Sequence, residues 1–237
     1  MDLNNENYLR EEFKAPDGGE RPPGFLELVY GVLFEPGKTM QKVAGKPPLW
    51  QSALVVTLLG VLGAVMGLLT FTRVVNQSLY ASGMGHMLPA VQAFAPLGAI
   101  LGLVWGYVKW FVYSAVLHLA AELLGGRGKA AGVFAVAGLA GLPTIFMLPV
   151  QLLAYWFGTG RLAATVLVGL AGLAVLVWTM VLLVIGVRHV HGFTTGRAVL
   201  VVFTPVLAMA AIAVLLVVAA VAVAASMPAK MIFPGYF

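Results

Sequence analysis

Three ionisable residues fall inside one long apolar run, residues 95–124: Lys109, His118 and Glu122. An ionisable side chain within a membrane is costly, so it marks a candidate proton or solute path. His118 and Glu122 are four residues apart on one helix face near the end of the run, and we interpret them as a polar helix end. For Lys109, near the middle, two readings stay open: an ammonium that pairs with a carbonyl or reaches the membrane surface, and one that lines a functional cavity.

Glycines recur in the same run at intervals of four residues, at Gly98, Gly102 and Gly106. Such spacing makes a flat helix face that another helix backbone can approach closely. Gly63 and Gly67 repeat the pattern in the first apolar run and could supply the partner face. The pattern predicts either packing between helices of one chain, which we favour, or self-association.

Two prolines, Pro143 and Pro149, lie in the third apolar run. Each frees a backbone carbonyl and can kink a helix, and such breaks can form a solute site. No charged residue sits beside them, so we interpret them as bends.

The stretch between the fourth and fifth apolar runs is polar and contains Arg188, His191, Gly192 and Arg197. His189 and His191 are only two residues apart, a spacing that does not bring two side chains together on a helix. We therefore predict a structural turn on the cytoplasmic side and no metal site.

Catalytic patterns are not found in the sequence. It has no cysteine, and none of its serines lies in a Gly-x-Ser-x-Gly elbow. The glycine-rich stretch 125–130 lacks the first glycine and the final hydroxyl residue of a phosphate-binding loop. We predict a protein that is not an enzyme and that binds no cofactor.

The overall composition indicates the environment in which these residues lie. Hydrophobic residues make up 61% of the chain and charged residues only 10%, against about 25% charged in a soluble domain. Five apolar runs each reach the roughly 20 residues that a membrane-spanning helix needs. They cover residues 50–71, 95–124, 130–157, 162–187 and 198–225. Residues 72–94 form the one long connection, expected to be an interfacial loop or short helix.

The region before the first run is different. Eight of the nine acidic residues lie in the first 35, and residues 1–23 are expected to be a disordered acidic lead. The pattern of residues 24–48 predicts two short amphipathic helices that lie on the membrane surface with the apolar face toward the lipid. The apolar face of the first comprises Phe25, Leu28, Val29, Val32 and Leu33. Lys38, Lys42 and Lys46 would lie near anionic lipid headgroups. The predicted fold is thus an all-α integral membrane protein, a bundle of five transmembrane helices (49–226) preceded by short interfacial amphipathic helices.

Lysine and arginine set the predicted orientation, since they favour the cytoplasmic side. One side carries seven: Lys38, Lys42, Lys46, Arg127, Lys129, Arg188 and Arg197. The other side carries three: Arg73, Arg161 and Lys230. We therefore expect the N-terminus in the cytoplasm and residues 227–237 as an external tail. The excess of basic over acidic residues reflects this topology and does not indicate nucleic-acid binding.

Two segments carry recognisable sequence patterns. One is Phe25 to Trp50, with its Phe-Glu-Pro and Pro-Pro-Leu-Trp sequences, and the other is Gly186 to Ala198, with Arg-His-Val-His-Gly-Phe-Thr-Thr-Gly-Arg. Both resemble the Yip family of Rab-interacting membrane proteins, in its prokaryotic branch. The resemblance implies five spans, a cytoplasmic N-terminus and a bacterial inner membrane. In eukaryotic members it implies Rab binding, which we do not expect here, because the Asp-Leu-Tyr-Gly-Pro-type motif is missing.

The leading functional prediction is a non-enzymatic protein that organises or scaffolds membrane components. Its partners would be the lipid bilayer and other membrane proteins or copies of itself, with the amphipathic helices and the glycine face as contact surfaces. The alternative is a transporter or channel for a small solute, whose path would be lined by polar residues of the second span and the kinked third span.

Overall fold

The computed structural model of the protein describes residues 24–158 and 162–226, and within these residues it is helical with no strand. The predicted acidic lead, the predicted tail, Arg161 and Lys230 lie outside the described residues. Nine α-helices are described: α1 Phe25–Phe34, α2 Pro36–Gly45, α3 Leu49–Ala81, α4 Leu88–Ala93, α5 Ala95–Leu123, α6 Ala130–Leu139, α7 Met147–Phe157, α8 Leu162–His191 and α9 Thr195–Ser226. Two 3₁₀ turns, Gly85–Met87 and Leu142–Phe146, join α3 to α4 and α6 to α7.

Five segments of this chain are long and apolar enough to cross a membrane, which confirms the predicted all-α multispan fold. They are α3, α5, the α6–α7 unit, α8 and α9. Some helices continue beyond the predicted spans, since α3 extends from residue 71 to Ala81 and α8 from residue 187 to His191. Hydropathy locates only the apolar part of a helix. The helix itself can continue through polar residues beyond that part.

The spans are longer than a bilayer requires. They contain 28–33 residues, or about 42–50 Å at 1.5 Å per residue, against a hydrocarbon thickness of roughly 30 Å. Each span therefore has more than ten ångströms of helix to place outside the hydrocarbon or to absorb by tilting.

The two short helices are part of the bundle. Leu28, Val32, Met40 and Val43 are almost completely buried, and they belong to the same apolar core as residues of the spans. The helix α2 packs against α8 and α6, and α1 against α2 and the 3₁₀ turn Leu142–Phe146. The prediction that this apolar face rests on lipid was wrong, because an amphipathic pattern shows which face leaves water and not whether lipid or protein receives it.

Burial is concentrated at one end of the bundle. We call this the packed end; its buried side chains come from α1, α2, the start of α3, the end of α5, all of α6, the end of α8 and the start of α9. At the opposite end, the open end, only Met66, Ala154 and Ala164 are buried among the described apolar residues. Beyond Val202 the side chains of α9 are largely exposed.

Close helix approach at the packed end depends on glycine. A Cβ on Gly138 would lie 3.0 Å from the Cβ of Ser52 and 3.3 Å from Nε1 of Trp110. Both neighbours hydrogen bond to the backbone of α6: Ser52 Oγ donates to the Ala135 carbonyl at 3.2 Å and Trp110 Nε1 to the Phe134 carbonyl at 3.1 Å. These contacts fix α3 and α5 against α6.

Candidate functional site

A cavity of about 720 Å³ lies between α3 and α5 toward the open end. All five glycines singled out by their spacing line it: Gly63, Gly67, Gly98, Gly102 and Gly106. The remaining wall is mainly alanine, leucine, valine and phenylalanine, with Phe71 and Phe94 among them. Two glycine faces therefore do oppose each other, and a space separates them.

The glycine faces make no close contact. A Cβ built on any of those five glycines meets no atom within 4 Å. The packing within one chain that the spacing favoured is therefore not seen at these residues, and self-association stays a prediction. The helices approach more closely at Gly60, where a Cβ would lie 3.0 Å from Leu103 Cδ2, and nearby Thr57 and Tyr107 are joined by a hydrogen bond between their hydroxyls.

Lys109 lines one end of this cavity and is the only residue among its described lining that carries an ionisable side chain. The side chain is exposed rather than buried in protein. The structure describes three glutamates: Glu35 pairs with Lys38 at 3.1 Å, Glu122 contacts His118, and none of the three is paired with Lys109. Lys109 is thus a cation facing an apolar space without an acidic partner in the described chain.

His118 and Glu122 lie elsewhere, at the packed end, and the structure joins them to the turn after α8. His118 Nε2 is 3.3 Å from Glu122 Oε1, and the rings of His118 and His191 are 5.6 Å apart. His191 also accepts a hydrogen bond from the Gly128 amide at 3.0 Å on Nδ1 and stacks on Phe193. Neither His118 nor Glu122 lines the cavity of Lys109, so the three residues do not form one site.

The histidine contact explains the glycine-rich stretch that resembled a phosphate loop. A Cβ on Gly126 or Gly128 would lie within 3 Å of His191 Nδ1, so these glycines let the loop close over the imidazole. Gly125 and Gly192 have positive φ and turn the chain on either side of it. Arg188 closes the second turn by donating to Thr195 Oγ1 at 3.3 Å, while Arg197 is exposed. In the described chain no three histidine, aspartate or glutamate residues are placed to share a metal ion.

The prolines of the third span have different environments. Pro143 is buried in the 3₁₀ turn that separates α6 from α7. Pro149 lies in the first turn of α7, where a missing N–H removes no intrahelical bond. The span is therefore interrupted at the first proline and continues through the second.

Sequence reasoning missed a second apolar face on α1. Leu26, Tyr30 and Phe34 are four residues apart and point away from the bundle, with exposed fractions of 79%, 61% and 61%. The rings of Tyr30 and Phe34 are 4.8 Å apart, and Trp50 at the start of α3 is also exposed. We call Leu26, Tyr30 and Phe34 the outward stripe. Its spacing was visible in the sequence, but the larger apolar face of the same helix masked it.

The fold and these features define a multi-pass membrane protein made of helices. Its sequence matches the family model of the Yip1 domain over residues 30–232, so the chain belongs to the Yip family. No curated protein and no solved structure matches the chain.

Proposed function

We propose that this protein is a non-enzymatic organiser of membrane components. The observation that supports this most directly is the integration of α1 and α2 into the bundle. Leu28 and Met40 are at most 1% exposed there, while Tyr30 on the opposite face of α1 is 61% exposed. A helix held rigidly on one face and exposing aromatic and aliphatic side chains on the other has the character of a contact surface.

We place this surface at the cytoplasmic face of a bacterial inner membrane, with the N-terminus in the cytoplasm. Two arguments support the placement. The packed end carries most of the described lysine and arginine residues of the connections, which favour the cytoplasm. The spans exceed the hydrocarbon thickness, and burial resembling that of a soluble core suits helix ends that project beyond it.

The partners we propose are other membrane proteins or copies of this chain, bound through the outward stripe. Tyrosine and tryptophan are favoured where one end of the ring meets lipid and the other meets water, which suits Tyr30 and Trp50 at the membrane surface. Lys38, Lys42 and Lys46 would lie near anionic lipid headgroups in this arrangement.

Photocrosslinking in native membranes tests this proposal. A photoreactive amino acid would replace Tyr30 in one variant and Leu207, an exposed apolar residue of α9, in a matched control. A reproducible protein adduct at position 30 that is missing at position 207, and that is lost in Phe34→Ser, would support the contact surface. Adducts that are the same at both positions, or lipid adducts alone at position 30, would contradict it.

Transport of a small solute is the second candidate, and the cavity at Lys109 is the observation that favours it. A path across the membrane would have to continue past the contact between Gly60 and Leu103 and the hydrogen bond between Thr57 and Tyr107. His118 and Glu122 do not extend the path, since neither lines the cavity and His118 lies against His191. Uptake of small solutes into proteoliposomes that is lost in Lys109→Gln would establish transport in place of the organising role.

A further inference from the structure

The cavity between α3 and α5 is long and is open along one side. Its wall runs from Ala95 to Lys109 along α5, which is about 21 Å at 1.5 Å per residue. A groove of this length, lined by glycine and apolar side chains, offers room for an extended hydrocarbon chain.

The chemistry of the wall changes along its length. Most of the wall consists of glycine and apolar side chains, which offer no hydrogen bonds to a polar ligand. At one end lies the ammonium group of Lys109, which no described glutamate neutralises. A ligand that satisfies both ends has an apolar chain and an anionic group.

The position of Lys109 suits a lipid headgroup. The first buried residue of α5 at the packed end is Ser114. Lys109 lies five residues before it, which is about 7.5 Å along the helix. A lysine side chain can bridge that distance and hold its ammonium at the level of the headgroups. Trp105, Tyr107 and Trp110 surround it in sequence, and such residues are enriched at membrane surfaces.

We propose that this cavity binds one anionic phospholipid, with an acyl chain between the two glycine faces and its phosphate paired with Lys109. The absence of side chains at Gly63, Gly67, Gly98 and Gly102 leaves the space that the chain occupies. This site is separate from the outward stripe, so either proposal can hold without the other.

Native mass spectrometry tests the site. The full chain would be reconstituted with equal amounts of a zwitterionic and an anionic phospholipid, released in mild detergent, and its retained lipids counted. We expect the unmodified protein to retain the anionic lipid. Gly102→Leu should lose it, because the side chain fills the cavity, and Gly98→Leu is a second variant of the same kind. Gly169→Leu on α8, where a Cβ also meets nothing within 4 Å, should retain it.

The headgroup contact is tested by charge. Lys109→Gln should reduce the preference for the anionic lipid by about fivefold, the ratio expected for one lysine near a membrane surface. Lys129→Gln, which removes an exposed lysine outside the cavity, should leave the preference unchanged. Thermal unfolding in detergent would show that each variant is folded.

Three lipid-binding results would overturn the proposal: no retained lipid on the unmodified protein, the same retention by Gly102→Leu and Gly98→Leu as by the unmodified protein, or an unchanged preference in Lys109→Gln. A dimer of the unmodified protein that becomes monomeric in Gly102→Leu would also overturn it, since a second copy would then occupy the glycine faces.

Discussion

The packed and open ends of the bundle use glycine in opposite ways. Gly138 and Gly186 at the packed end are covered by neighbouring helices: an added Cβ would be tight against Ser52 at the first and would collide with Val136 at the second. Gly63 and Gly102 toward the open end leave a space in which an added Cβ meets nothing. Glycine spacing on a membrane helix therefore shows where a helix surface is flat, but not what covers it.

Polar groups differ between the ends in the same way. At the packed end, His118 contacts both Glu122 and His191, and His191 also accepts a hydrogen bond from the Gly128 amide. Lys109 has no such partner among the described residues. The packed end is thus built like the core of a soluble protein, whereas the open end leaves its surfaces for lipid or other ligands.

The strongest test of this contrast shortens two leucines of one helix, a buried one toward the packed end and an exposed one toward the open end. Leu182 is fully buried on α8, so Leu182→Ala should lower the free energy of unfolding by about 2–5 kcal/mol. Leu170→Ala on the same helix, where the side chain is 63% exposed, should have little effect. Reversible unfolding in mixed micelles measures both variants. Equal losses would show that the two ends are equally packed.

Adding one methyl group should have opposite effects at the two ends of α8. In Gly186→Ala the new Cβ would collide with the side chain of Val136, so we expect a loss of about 1–3 kcal/mol. Gly169→Ala meets open space, so we expect a gain of up to about 1 kcal/mol from a better helix former. Reversible unfolding measures the sign of each change in the free energy of unfolding. A gain in stability for Gly186→Ala would contradict the close contact with Val136.

The hydrogen bond from Ser52 to the Ala135 carbonyl should contribute a smaller amount. Ser52→Ala is expected to reduce stability by about 1 kcal/mol, because the hydroxyl is fully buried where α3 meets α6. Thr204→Ser, which keeps a hydroxyl able to bond the Leu200 carbonyl, is the matched control on α9. A neutral Ser52→Ala variant would mean that packing alone holds α3 at this junction.

Removing the charge of Glu122 should have the smallest effect. Its side chain is 56% exposed, and ion pairs of that kind contribute at most about 1 kcal/mol. We expect the free energy of unfolding of Glu122→Gln to lie within about 1 kcal/mol of that of the unmodified protein at neutral pH. A larger loss would indicate that the carboxylate is needed to hold His118 against His191, and so that the packed end depends on this polar contact.

Much of the fold could be predicted from residue types and spacing. Five spans followed from apolar runs longer than a bilayer requires, and bends were predicted at Pro143 and Pro149 because each lacks an N–H; the structure has a 3₁₀ turn at the first and a continuous helix through the second. The candidate site was predictable only in part. Spacing showed that His118 and Glu122 share a helix face, but the contact of His118 with His191, more than 60 residues later, depends on how α5 and α8 pack. The outward stripe was visible in the sequence but competed with a larger apolar face on the same helix.

The sequence by itself determined that the chain is an all-helical membrane protein, because so many apolar residues in runs of that length are stable only in lipid. It also determined which helix faces are apolar, small or charged, since these follow from a period of 3.6 residues. Only the tertiary structure decided what each face contacts. The larger apolar face of α1 is covered by protein, and the glycine faces of α3 and α5 line an open cavity. The physical reason is that lipid and protein interior are both apolar, so the pattern that removes a face from water does not distinguish between them.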